Sequence, residues 1–153
     1  VTIRYQKYDS PRNSDLDSWL EFCTYIESMD FKVIIVPDTD TAWFIKKKFC
    51  NFEVFVEGSF NLQLLIALYE SAYYNYFNPH GPSILSYLNP NTKYIMMKSG
   101  PVEGSIVHTK KAFSHLERDS NYFFANKKDH ISIWKEDNLY NLKESFKKYV
   151  LLK

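Results

Sequence analysis

Apolar runs too short to be helices alternate along this chain with segments of helical spacing, and that alternation leaves few folds open. Val1 to Gln6 is a short β-branched and apolar run suited to a buried strand. From Leu16 the spacing changes, and Leu16, Trp19, Leu20, Cys23, Ile26 and Met29 follow a helical period with Ser14 or Asp15 placed to cap it. Lys32 to Val36 (KVIIV) is a continuous apolar run stopped by Pro37-Asp38, the pattern of a parallel strand covered on both faces. Thr39 or Asp40 then caps a second helix over roughly Thr41 to Phe49, and Glu53 to Val56 supplies a third strand. A third helix over Leu62 to Ser71 is expected to turn Leu64, Leu65, Leu68 and Ala72 inward.

The stretch Tyr73 to Leu88 (YYNYFNPHGPSILSYL) reads as a strand, a sharp turn at His80-Gly81-Pro82 and a helix beginning at Pro82 or Ser83. Proline suits the first turn of a helix, where its missing N–H would have no partner anyway, and Gly81 lets the backbone approach a ligand closely. A strand leading through such a turn into a helix gathers free N–H groups, the positive end of the helix dipole and the Ser83 hydroxyl in one place, as phosphate-binding α/β proteins do. Gly-Pro is also ordinary turn punctuation. Further strands are expected at Lys93 to Lys98 and His130 to Trp134, with a weak one at Tyr122 to Ala125. A short helix is expected at Thr109 to Leu116, and Asp137 should cap a closing helix over Leu139 to Leu151 with Leu142, Phe146, Tyr149 and Val150 inward. Right-handed crossovers then imply an α/β fold, a Rossmann-like, mostly parallel sheet of about five or six strands with helices on both faces.

A length of 153 residues implies a single domain with a core of its own. Cys23 and Cys50 fall in segments read as helical and apolar, which predicts two buried, reduced thiols rather than a disulfide. The four histidines show no metal-ligand spacing, so no metal and no cofactor is expected. A formal charge of +1 gives no electrostatic case for nucleic acid or an anionic membrane. No apolar run approaches the ~20 residues that cross a bilayer, and no leader is visible, so a cytoplasmic protein is expected. The chain opens directly on strand-like residues without an initiator methionine, which suggests one domain of a longer chain.

In a parallel sheet, ligands bind outside the carboxyl ends of the strands, where strand order reverses. The exit loops place Arg4 and Arg12 on the same edge as His80, Gly81, Pro82 and Ser83, and the arginine fork of donors matches phosphate oxygens. His80 is the best single candidate for proton transfer or a phosphate contact. Asp38, Asp40, Glu57, Glu103, Glu136 and Asp137 also fall near this edge, where a carboxylate caps a helix, faces solvent, binds a ribose or acts as a base; Glu136 is kept as a substrate-binding candidate. No GxGxxG, GxxxxGK[ST] or GxSxG occurs, which disfavours the usual dinucleotide, NTPase and hydrolase readings.

The first strand ending in arginine, YDSPRNS (Tyr8 to Ser14), the helix with Trp19, VIIVPDTD (Val33 to Asp40), NLQLLIALYESA (Asn61 to Ala72) and NPHGPSILSYLN together resemble the carboxyl-terminal half of a GT-B glycosyltransferase. The likeness is closest to a group of bacterial glycosyltransferase-like proteins with RNS and NxGP elements, the first being Arg12-Asn13-Ser14 here and the second resembled by the turn ending in Gly81-Pro82. His80 departs from that pattern, in which Asn is commoner. The resemblance implies a donor-binding domain for a nucleotide-sugar, with Gly81, Pro82 and Ser83 at the diphosphate, Arg4 and Arg12 neutralising it, and Asn13 and Ser14 alongside. It also implies metal-independent transfer, with the acceptor domain and the catalytic base elsewhere in the parent chain. The alternatives are a stand-alone module that binds a nucleotide or phosphate ligand without turnover, and a structural interaction domain presenting some of its twelve tyrosines and twelve phenylalanines.

Overall fold

A computed structural model describes residues 1–118, 120–121, 125 and 128–152. In chain order the elements are β1 (Thr2–Ile3), α1 (Leu16–Glu27), β2 (Ile34–Pro37), α2 (Ala42–Lys48), β3 (Glu53–Val54), α3 (Glu57–Phe60), α4 (Leu62–Ser71), β4 (Asn75–Phe77), α5 (Ile84–Tyr87), β5 (Tyr94–Met96), β6 (His130–Ser132) and α6 (Leu139–Phe146). A wider π-helical turn over Lys147–Leu151 extends α6. The expected weak strand at Tyr122 to Ala125 falls almost wholly outside the described residues.

All six strands are parallel, in the order β3-β2-β1-β4-β5-β6. The chain therefore builds outward from β1 in one direction, returns through α3 and α4, and builds outward from β4 in the other. This is the Rossmann-like arrangement, and its switch point lies between β1 and β4. Register fixes which side chains share a face: Thr2 sits opposite Val36 and Phe77, and Tyr76 opposite Ile95.

Side chains alternate across the pleat as a doubly covered sheet requires. Ile3, Ile35, Tyr76, Ile95 and Ile131 pack with Trp19, Phe22, Cys23 and Ile26 of α1, Ile45 of α2, and Leu142 and Phe146 of α6. On the other face Val36 meets Leu65 and Tyr69 of α4, while Phe77, Tyr94 and Met96 meet Tyr87 of α5. Phe22 lies at the centre of the first face, with ring centroids 5.1 Å from Tyr76, 5.9 Å from Trp19 and 6.1 Å from Phe146. Each fully buried side chain of this kind contributes about 1.5–3 kcal/mol.

Several local expectations are corrected. Asp15 caps α1, but α6 is capped by Asn138, which accepts from Asn141 N at 2.9 Å, because the neighbouring Asp137 carboxylate is turned into the sheet edge. Neither Thr39 nor Asp40 caps α2; a 3₁₀ turn over Thr39–Thr41 leads into it, and the Thr41 hydroxyl donates instead to Tyr5 O at 2.8 Å. On α4 Leu64 is exposed and Tyr69 takes the buried position, its hydroxyl 3.0 Å from Thr2 Oγ1. Cys23 is buried as expected, but Cys50 is exposed, because α2 ends with Phe49 turned inward and the next residue faces solvent. Residues 109–116 form turns rather than a helix, with Phe113 drawn against His108 and Trp134. The helix after the His80 turn starts as a 3₁₀ turn over Gly81–Ser83 and continues for only the four residues of α5.

Candidate ligand site at the carboxyl edge

The exit loop of β1 is knitted from within by Arg4. Its side chain is 1% exposed; Nη2 donates to Tyr8 O at 2.8 Å and Nη1 donates to Asn13 Oδ1. Asn13 is committed on every side: Oδ1 also accepts from Gln6 N at 3.0 Å, Nδ2 donates to Gln6 O at 2.8 Å, and its carbonyl accepts from Lys98 Nζ at 3.1 Å. Ser14 closes the loop, its Oγ accepting from Arg4 N at 3.1 Å. Both hydrogen-bond partners of Arg4 are neutral, and among the described residues it forms no ion pair. Burial lowers its pKa, the Arg12 charge lowers it further, and Asp38 and Asp9 act the other way. Arg4 therefore adds a buried positive charge, without a carboxylate in contact, to an edge it shares with Asp9 and Asp38.

Arg12 lies further out along the same loop. Its Nε pairs with Asp9 Oδ2 at 2.6 Å, with the Arg12 side chain 12% exposed. Among the described residues nothing is hydrogen-bonded to its two terminal amino groups. Asp9 adopts a left-handed backbone, φ 50°, and also accepts from Ser105 Oγ at 2.8 Å and Ile106 N at 3.0 Å. Burial works to raise the Asp9 carboxyl, and these bonds together with Arg12 hold it below the usual range. The Asp9 latch thus ties the loop after β5 over the loop after β1. At its far end His108 is buried, with Nδ1 3.1 Å from Gly100 O, and burial and the Arg12 charge lower its pKa.

A second hub is Asp137. Its Oδ2 accepts from Asp15 N at 3.0 Å, Trp19 Nε1 at 2.6 Å and Asn78 Nδ2 at 2.8 Å, and its Oδ1 pairs with Lys98 Nζ at 2.9 Å. Glu136, itself exposed, pairs with the same lysine at 3.2 Å. Burial works to lower the Lys98 ammonium, and the two carboxylates more than offset it. Lys98 too is left-handed, φ 49°, a conformation that costs a long side chain about 1–3 kcal/mol and persists only where the surroundings fix it.

The turn after β4 is held inward. His80 Nδ1 lies 3.0 Å from Asn78 O, Ser83 Oγ donates to His80 O at 2.6 Å and contacts Tyr87 Oη, and His80 N donates to Ser83 Oγ at 3.2 Å. Ser83 is wholly buried, whereas Gly81 is exposed, with no atom within 4 Å of where a Cβ would stand. Burial lowers the His80 pKa to about 4. The sequence candidates therefore meet at one edge but divide in role: Arg4, Asn13 and Ser14 build the loop, Ser83 braces the turn, and Arg12, Gly81 and Pro82 remain reachable. Asp9, Lys98 and His108 were not singled out from sequence, and Asp137 was read as a helix cap and as one of several carboxylates near this edge. The position of Lys98 at the end of a strand is the signal that would have found it, and Trp19, whose buried indole N–H needs an acceptor, is the signal for Asp137.

A larger cavity of about 270 Å³ opens at the opposite edge, between Val1, Phe31, Tyr73 and Tyr76. Lys32 in its wall pairs with Glu53 at 2.5 Å, and the cavity lies away from the switch point. No group of three side chains suited to a metal ion occurs among the described residues. No described helix is long and apolar enough to cross a membrane. Comparison of the chain with family models, with curated proteins and with solved structures finds no match.

Proposed function

We propose that the carboxyl edge at the β1/β4 switch point binds a phosphate-bearing nucleotide ligand, and that this ligand is the nucleotide-sugar donor of a glycosyl transfer. The observation that carries the reading is Arg12, whose Nε is anchored on Asp9 while both terminal amino groups stay unclaimed among the described residues. An arginine held through Nε, with its terminal amino groups left without partners among the described residues, is preorganised for a phosphate. Arg4, buried with neutral hydrogen-bond partners and only partly offset by Asp38 and Asp9, adds positive charge behind it. Strand order supports a ligand at this edge, and the sequence resemblance supports the nucleotide-sugar in particular.

The buried carboxylates Asp9 and Asp137 are engaged, by Arg12 and Ser105 and by Lys98 and Trp19, Asp38 accepts from Tyr5 N, and His80 is neutral and buried. In this reading the domain binds and orients the donor, and the acceptor with its base comes from a second domain of the parent protein. A thermal-shift series with UDP-, GDP-, ADP- and CMP-linked sugars tests it, because a ligand that binds only the folded state raises the melting temperature. At least one of the series is expected to do so, and no response to any of them overturns the nucleotide-sugar reading.

A further inference from the structure

Beside the turn after β4 lies a cavity of about 20 Å³, bounded by Thr2, Asp38, Thr39, Ser59, His80 and Pro82 among others. It has room for one water-sized group. Two hydroxyls in its wall donate elsewhere, Thr39 Oγ1 to Ser59 O at 3.1 Å and Ser59 Oγ to Pro37 O at 2.7 Å, while Thr2 Oγ1 shares a hydrogen bond with Tyr69 Oη in which either oxygen can donate. The side-chain atom of this wall left without a partner among the described residues is an acceptor, His80 Nε2. His80 Nδ1 faces the Asn78 carbonyl, which only accepts, so the ring proton sits on Nδ1 and Nε2 carries a lone pair. Nε2 is buried, and Asp38, whose Oδ2 already accepts from Tyr5 N at 2.8 Å, adds a carboxylate to the same wall. Asn78 repeats the pattern two residues upstream: its Nδ2 is fixed on Asp137, and its buried Oδ1 has no partner.

We infer that this cavity receives a hydrogen-bond donor from the ligand, a hydroxyl of its ribose or of its sugar, and that the phosphate does not bind there. The inference rests on the carboxyl edge being a ligand site, as proposed above. A phosphate oxygen would face a lone pair and a carboxylate, whereas a hydroxyl satisfies an acceptor whose isolation is otherwise costly. The neutral state of His80 at pH 7 fits this assignment, since burial lowers its pKa to about 4. His80 is then a specificity-determining residue that reads a hydroxyl, and charge neutralisation is left to Arg12.

The test is long-range ¹H–¹⁵N NMR of histidine-labelled protein at pH 7, following His80 Nε2 during titration with pyrophosphate, ribose 5-phosphate and glucose 1-phosphate, with thermal shift reporting binding independently. The free protein is expected to show Nδ1 protonated and Nε2 unprotonated. Pyrophosphate should bind and leave Nε2 unmoved, while a response to ribose 5-phosphate alone assigns a ribose hydroxyl and to glucose 1-phosphate alone a sugar hydroxyl. Replacing His80 by Phe should weaken the responding compound about tenfold and leave pyrophosphate unchanged. An equal response to pyrophosphate, a proton on Nε2 in the free protein, or hydroxyl compounds that bind without moving Nε2 (a cavity that holds water only) each overturns the inference while leaving the phosphate site standing. If none of the three compounds binds, the phosphate reading itself falls.

Discussion

His80 gives the fold a pH dependence that one substitution can remove. Its pKa is lowered by burial from 6.5 to about 4, so between those values the unfolded chain takes up a proton that the folded one refuses. Stability is therefore fully present above pH 6.5 and is lost as the pH falls toward 4, by up to about 3 kcal/mol from this group. Urea denaturation at pH 7, 5 and 4 should show this slope in the parent and a shallower one in His80→Phe; an equal slope would mean that other groups carry it. The cysteines separate as cleanly. Cys50 is exposed and should react with a thiol reagent in the folded protein, whereas burial pushes the Cys23 thiol up to about 12 and should keep it inert until unfolding. Equal labelling rates would contradict the packing of α1 against the sheet.

Among the elements, Asp137 binds together what would otherwise be independent loops: the start of α1, the exit of β4 and the exit of β5 all end on its two oxygens. Asp137→Ala would leave Lys98 buried without its main partner and the Trp19 N–H without an acceptor. The expected cost is about 3–5 kcal/mol, against about 1 kcal/mol for Asn138→Ala, which removes only the cap of α6. Chemical denaturation of the two variants checks the ranking, and comparable losses would show that Asp137 is not a hub. This is also the scale at which the sequence was least legible. A residue that can cap a helix and a residue that can tie three loops look alike in one dimension, and Asp137 and Asn138 differ by a single step along the chain. The segment around His108 was obscure for a related reason: its turns are set by ring contacts with Phe113 and Trp134 and by the bonds of Asp9 to Ser105 and Ile106, which carry no local period.

For the whole molecule, the alternation of KVIIV-like runs with helical spacing was enough to read the parallel sheet, because doubly covered strands must be apolar throughout and parallel strands need crossovers. Strand order was not in that pattern, but it decides where a ligand can sit, and the β1/β4 switch point brings Arg12 and the His80 turn to one edge. The sequence placed Arg4, Arg12 and the turn on the same side and could not tell an arginine whose terminal amino groups build the loop from one held through Nε alone; their partners separate them. The central claim is that Arg12 contacts the ligand's phosphates. Calorimetric titration of the nucleotide-sugar that most raises the melting temperature, into the parent and into folded Arg12→Ala, tests it most directly. Loss of a charge-assisted bond of about 1.5–3 kcal/mol predicts affinity weakened roughly tenfold to a hundredfold, and unchanged affinity in Arg12→Ala would contradict the account.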